Sequence, residues 1–229
     1  MHARAESIYL RRTRRGPVEQ LASVRAVVGF GFQGEWHSDP LSLRQVLIAG
    51  APTYREMGLP PNALGENLFL NIDVADIAPG TVLAVGSEVQ LWLTFPCEPC
   101  GYLDTYRTGL SAEIGARRGM LSRVIRGGQL SVNDEVRDLG ICMPAWSADW
   151  RQRIRQVLTA VPAGAVVEYS ALARLAGVQS SYCRAFPKIL RSFGEGYVNK
   201  AVPAKSLDVR PRYLGEKLFD FVPGCSTYR

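Results

Sequence analysis

At 229 residues, with 47% hydrophobic and 21% charged side chains, the chain has material for a buried core in each of two domains and for a wet surface, as in a soluble protein. No uncharged apolar run approaches the roughly 18 residues of a spanning helix, and residues 1–15 carry Arg4, Arg11, Arg12, Arg14 and Arg15 where a secretion signal would be apolar, so a cytoplasmic, non-membrane protein is expected. Charge divides the chain: residues 1–144 hold 14 Arg, no Lys and 15 Asp plus Glu, net −1, whereas residues 145–229 hold 13 basic and 6 acidic residues, net +7. The basic half implies an anionic partner, nucleic acid being the usual one, unless it is only a solvated basic face. Without lysine, the first half offers neither a pyridoxal Schiff base nor a P-loop.

In chain order, apolar alternation and glycine punctuation predict strands at residues 7–11, 22–28, 44–48, 68–72, 82–85, 88–95, 120–125 and 129–136. Short helices are expected near 53–57 and 111–117, so the first half reads as a mainly-β, antiparallel barrel. A boundary is expected near Met143-Pro144-Ala145, with Ser147 as cap of a new helix. Trp150, Ile154, Val157, Leu158 and Val161 then recur at helical spacing, followed by a strand-like run at 165–169. A helix at 170–176 is stopped by Gly177, and Ser180 or Ser181 can cap a second at 182–193. That second helix would show Arg184, Lys188 and Arg191 on its exposed face, as a helix-turn-helix requires.

The most informative residues are Cys97-Glu98-Pro99-Cys100, where the strand at 88–95 delivers a thiol into a turn. Cys100 is the lead candidate for a metal ligand or nucleophile. Structural zinc would need a second ligand pair, for which only Cys142, Cys183, Cys225, His2 and His37 are on offer; both cysteines can equally be small buried apolar residues. Five cysteines suit reduced thiols better than a disulfide framework. Arg44, Arg117, Arg118 and Arg123 have the planar fork that grips an anionic cofactor, and two of the four are expected to matter. Glu66 and Asn67 interrupt an apolar stretch, so Glu66 either pairs with an arginine or lines a site. Gly29, Gly31 and Gly34 fit G-x-G-x-x-G, but Ser38-Asp39-Pro40 follows instead of a helix, so a turn carrying His37 is expected there and not a dinucleotide site.

Gly34-Glu35-Trp36-His37, Arg44-Gln45-Val46, Leu64-Gly65-Glu66-Asn67-Leu68 and Gly119-Met120 through Asp134-Glu135-Val136 flank the cysteines in the order of a MOSC domain, which residues 5–140 resemble. The resemblance implies a β-barrel, a molybdenum cofactor (molybdopterin), and Cys100 as ligand of molybdenum or carrier of persulfide sulfur, with Cys97 beside it. Glu35 stands where that family has aspartate. His37 would orient the cofactor or act as a general acid, or would be hydrogen-bonded in the barrel wall. Arg44, Glu66, Asn67, Arg117, Arg118 and Arg123 become its candidate cofactor-binding residues.

A second resemblance covers residues 147–222. Val161-Pro162-Ala163-Gly164, Glu168-Tyr169-Ser170-Ala171-Leu172-Ala173 and Cys183-Arg184-Ala185-Phe186-Pro187 look like the winged helix of alkylguanine-DNA alkyltransferases and alkyltransferase-like proteins. It implies that Tyr169 presses on the DNA backbone and Arg184 fills the place of a flipped nucleotide, with Ser181, Lys188 and Arg191 as further DNA contacts. The acceptor motif is reduced to Val202-Pro203-Ala204-Lys205-Ser206; alanine has no nucleophile, so no alkyl transfer is expected. Pro187 replaces a glycine and is expected to kink the helix. The combined expectation is a MOSC-like barrel at 1–143 and a small winged helix-turn-helix domain at 147–229 that docks DNA. The barrel would reduce N-hydroxylated bases or nucleotides with a redox partner protein. The alternatives are a persulfide carrier acting on sulfur-containing substrates, or a nonenzymatic lesion-recognition protein.

Overall fold

The computed structural model describes residues 3–14 and 16–220; His2 and Cys225 lie outside them. The described residues fall into two compact units, residues 3–40 with 44–146 and residues 41–43 with 147–220. Among them no helix is long and apolar enough to cross a membrane.

The first unit begins with β1 (Ala3–Arg11), β2 (Val18–Leu21), β3 (Ser23–Val27), β4 (Gly31–Phe32) and β5 (Val46–Gly50). Helix α1 (Ala51–Met57) leads to β6 (Leu68–Leu70), β7 (Thr81–Val85) and β8 (Val89–Pro96). A 3-10 turn (Leu103–Thr105), α2 (Leu110–Ile114), a second 3-10 turn (Gly115–Arg118), β9 (Met120–Arg126), β10 (Gly128–Ser131) and β11 (Glu135–Ile141) complete it. Strands β1, β11, β7, β8, β9, β5 and β6 pair in that order, and β6 pairs β1 again, so seven strands close into a barrel without open edges. The one parallel pair among the described strands of this unit, β5 with β6, follows from its connection: α1 carries the chain back so that both strands run the same way. Strand β2 extends the barrel wall as a hairpin on β1, and β10, β3 and β4 form a separate small sheet.

Strand β8 is buried on both faces, so the alternation at 88–95 marks two covered sides. Val89, Leu91 and Leu93 join the barrel core; on the other face Trp92 is fully buried, its indole N–H donating to the Pro144 carbonyl at 3.1 Å. A second apolar cluster of Ala49, Tyr54, Met57, Leu64, Leu103, Leu110 and Ile114 fixes α1 and α2. Helix α1 starts two residues earlier than expected because Pro52 fits its first turn, where an N–H has no helical partner, and Gly58 at φ 62° ends it. The run read as one strand at 129–136 is two, β10 and β11, broken by a turn with Asn133 at φ 73°. Cys142 is disulfide-bonded, which corrects the all-thiol expectation; Cys97, Cys100 and Cys183 are free.

The second unit contains α3 (Trp150–Ala160), β12 (Val167–Glu168), α4 (Tyr169–Leu175), a 3-10 turn (Ser180–Ala185), α5 (Phe186–Ser192), α6 (Glu195–Val198) and β13 (Ala201–Val202). Asp149 caps α3, accepting from Arg151 N at 2.9 Å, in place of the expected Ser147. Arg153 is wholly buried and donates to the carbonyls of Ser147, Ala148 and Ala176, each at 2.9 Å. The helix expected at 182–193 is divided: Pro187 sits in the first turn of α5, so it starts a helix instead of kinking one. Neither Ser180 nor Ser181 caps the preceding turn; Gln179 occupies that place without a side-chain bond. Strands β12 and β13 pair in parallel, and no antiparallel hairpin of the wing kind forms among the described residues of this unit.

Candidate functional site

Cys97 directly follows β8, and Cys100 lies in the turn beyond it, its carbonyl accepting from Leu103 N at 3.0 Å. Two arginines grip this turn. Arg44 Nη1 donates to Glu98 Oε2 at 2.7 Å and its Nη2 lies 3.7 Å from Cys97 Sγ. Arg118 Nη1 donates to the Glu98 carbonyl and to Cys100 Sγ, the latter at 3.2 Å. Gly119 sets Arg118 in place: at φ 123° it accepts from Cys97 N at 2.9 Å, and a Cβ there would collide with the Ile48 carbonyl. The two thiols differ accordingly. Cys97 is buried and its thiol is pushed up by that burial, whereas Cys100 is half-exposed against a guanidinium.

Beside this turn is a cavity of about 160 Å³, lined among others by Glu35, His37, Glu66, Asn67, Tyr102 and Arg118. Glu66 is 1% exposed; its partner is Tyr54, which donates to Oε2 at 2.6 Å, and not an arginine. Glu66 Oε1 and Arg118 Nε are buried without a hydrogen-bond partner. Burial holds the Glu66 carboxyl above its ordinary range, against the hydrogen bond from Tyr54, and raises the Tyr54 hydroxyl too. Glu35 is the opposite case. Burial works against its ionisation, but bonds from His37 and from Arg11 N at 2.9 Å prevail and keep it low; Asn67 Nδ2 also donates to it at 3.1 Å.

His37 stands between Glu35 and Trp36. Its Nδ1 is 3.1 Å from Glu35 Oε1, and the Trp36 indole N–H donates to Nε2 at 2.9 Å. An indole only donates, so Nε2 is bare and the ring proton sits on Nδ1. Asn67 braces strands as well as Glu35: its Oδ1 accepts from Leu47 N at 3.0 Å. The other two candidate arginines lie elsewhere, Arg117 on Glu56 at 3.1 Å and Arg123 on the Pro40 carbonyl at 3.0 Å. The structure thus brings Cys100, Arg44, Arg118, Glu66, Asn67 and His37 to one region of the barrel. Among the described residues no three His, Cys, Asp or Glu side chains gather as a metal-holding group, so the Cys97–Cys100 pair gains no further ligand of that kind.

Sequence reasoning missed Tyr54, Trp36 and Tyr102. Tyr54 had a signal: a tyrosine on the buried face of a short helix needs a partner for its hydroxyl, and Glu66 needed one as well.

In the second unit Tyr169 opens α4, half-buried edge-on against Phe186 at 5.6 Å, with its hydroxyl raised by burial. Ser181 and Arg184 are exposed on the 3-10 turn, and Lys188 and Arg191 on α5. The Cys183 thiol donates to the Tyr169 carbonyl at 3.4 Å and so ties this turn to the start of α4.

Residues 45–137 match the family model of the MOSC domain. No curated protein matches the chain. Among solved structures, the YuaD protein from Bacillus subtilis is similar at 21% identity and a TM-score of 0.52, over 59% of this chain and 94% of that one. YiiM from Geobacillus stearothermophilus is similar at 16% identity and a TM-score of 0.49, over 82% of this chain and 99% of that one. YiiM from Escherichia coli gives 16% and 0.49, over 85% and 94%. The match to the MOSC-domain model covers residues 45–137, from β5 into β11, and the YuaD likeness is one of fold.

Proposed function

We propose that the first unit holds a molybdenum cofactor on Cys100 and reduces an N-hydroxylated base or nucleotide, and that residues 147–229 dock the protein on DNA. The first part is carried by Cys100 Sγ at 3.2 Å from Arg118, whose Nε, with Glu66 Oε1, is a buried and unpartnered atom of a cavity-lining residue. Those atoms fit an anionic, polar guest: Arg118 Nε has a hydrogen to donate, Cys100 is the soft ligand, and Arg44 adds positive charge. When bound, the cofactor supplies the two electrons of R–NHOH + 2e⁻ + 2H⁺ → R–NH2 + H2O, drawn from an external reductant. The protein's own part is proton placement. Glu66 Oε2 accepts from the Tyr54 hydroxyl, which leaves the unpartnered Oε1 as the atom at which a carboxyl raised by burial would hold a proton for a departing hydroxyl. His37 has both nitrogens engaged and serves to orient, not to donate. The test is molybdenum and pterin analysis of the full chain from a cofactor-competent host. Cyanide-labile sulfur without molybdenum would replace this reading with the persulfide carrier.

Glu66 also makes stability depend on pH. A carboxyl raised by burial stabilises the fold fully below its ordinary value of 4.5, and that contribution is lost as pH rises toward the raised value. Glu66→Gln keeps an acceptor for Tyr54 and cannot ionise, so its thermal midpoint should fall less than that of the wild type from pH 5 to 8. Parallel curves would contradict a Glu66 carboxyl raised by burial.

The DNA part is supported by the net charge of +7, by the alkyltransferase-like motifs and by the exposed Arg184, Lys188 and Arg191. Duplex affinity should fall steeply with salt, and Lys188→Ala should reduce the slope of log K against log salt by about one. A salt-independent affinity would contradict it.

A further inference from the structure

Parallel pairing of Val167 with Ala201 and Glu168 with Val202 makes Tyr169 and the segment after Val202 leave the small sheet at the same end. The chain returns beside β12 at Arg212, which bridges Val166 and reaches Glu168 Oε1 at 3.5 Å. Residues 203–210 therefore stand out as a loop from the end of the sheet where Tyr169 opens α4 and where Cys183 ties in the turn that bears Arg184.

This loop is built inside out. Ser206, Asp208 and Arg210 turn inward: Ser206 Oγ accepts from Asp208 N at 3.2 Å, and Asp208 Oδ1 accepts from Arg210 N and Nε, both at 3.0 Å. Arg212 donates to the carbonyls of Asp208 at 2.9 Å and Arg210 at 3.0 Å. The residues between, Leu207 and Val209, are each 97% exposed. An ordinary loop hides such side chains or replaces them; here polar bonds hold two branched apolar groups out in water.

The surrounding charge says what covers them. Residues 147–220 carry 12 Lys and Arg against 6 Asp and Glu, and of those acids Asp208 and Glu168 are paired with Arg210 and Arg212. Apolar side chains on a rigid projection amid basic residues match the wedges that proteins drive between base steps. We propose that Leu207 and Val209 form an apolar wedge that enters the base stack of duplex DNA beside the nucleotide position served by Tyr169 and Arg184. This rests on the DNA-docking reading above.

The test uses the full chain and a duplex with 2-aminopurine beside an unpaired base. Wild type should bind with a rise in 2-aminopurine fluorescence as the step unstacks. Leu207→Ser with Val209→Ser, both fully exposed and so neutral for folding, should lose that rise. The double variant should bind the distorted duplex about tenfold more weakly, and plain duplex within about twofold of wild type. Binding with an unchanged fluorescence rise in the double variant overturns the wedge and leaves DNA docking standing. Absence of wild-type binding overturns both. Self-association of wild type that the double variant loses, seen by sedimentation, would place a second copy of the chain on the loop and also overturn the wedge.

Discussion

Cys100→Ser should bring molybdenum and pterin in the purified protein down to background, while Cys97→Ser should keep most of both. The sulfur of Cys100 is half-exposed and paired with Arg118, where a soft ligand and a cation can meet an anionic cofactor; a serine hydroxyl is a poor ligand for that metal. Cys97 is 2% exposed, its thiol is kept protonated by burial, and its sulfur faces Arg44. Its loss disturbs the turn rather than the ligand, a change worth roughly 10–100-fold in affinity, which tight binding of the cofactor tolerates. Metal and pterin content of both variants, measured together with folding by circular dichroism, decides between them. Equal loss, or loss only in Cys97→Ser, would contradict the assignment.

Arg153→Ala should destabilise the second unit by about 3–5 kcal/mol, enough to unfold a marginal domain at room temperature. The guanidinium joins residues 147–148 to the end of α4 through three carbonyls, inside a core that includes Ile154, Val157 and Leu158. Alanine leaves those carbonyls without this donor and opens a hole of nearly a whole side chain. Arg153→Met refills much of the volume without the donors and should recover only part of the loss. Chemical denaturation followed by tryptophan fluorescence reads both variants; a change under about 1 kcal/mol for alanine would show that the buried cation is dispensable.

The barrel was legible because its strands alternate or run apolar between glycines, a pattern that depends only on neighbours in sequence. Closure was not: the return pairing of β1 with β11 joins Ala3 to Val136, and nothing local marks it. The short β2 and β4 escaped for the same reason, having too few residues to show a period. In the site, cysteine and arginine chemistry pointed to Cys100 and equally to Arg44, Arg117, Arg118 and Arg123; sequence could not sort Arg118 from its neighbour Arg117, since one residue of rotation on a tight turn sends one to Cys100 and the other to Glu56. Glu66 was read either as the partner of an arginine or as lining a site; it lines the cavity, and its partner is Tyr54. Burial beside a tyrosine, with the carboxyl raised by that burial, is a solution visible only in three dimensions. Pro187 shows the converse, a residue whose effect was read from its usual disruption and which here begins a helix.

Turnover is the most direct test of Cys100 and Glu66 as the parts of one reducing site. Full-length protein loaded with molybdenum cofactor, supplied with a chemical two-electron reductant and an N-hydroxylated adenine, should form the parent amine with one water released per two electrons consumed. Glu66→Gln should slow that reaction while retaining the metal. Cofactor-loaded protein that leaves the N–O bond intact, or a Glu66→Gln variant that reduces it at the wild-type rate, would contradict the assignment of the cavity and its proton.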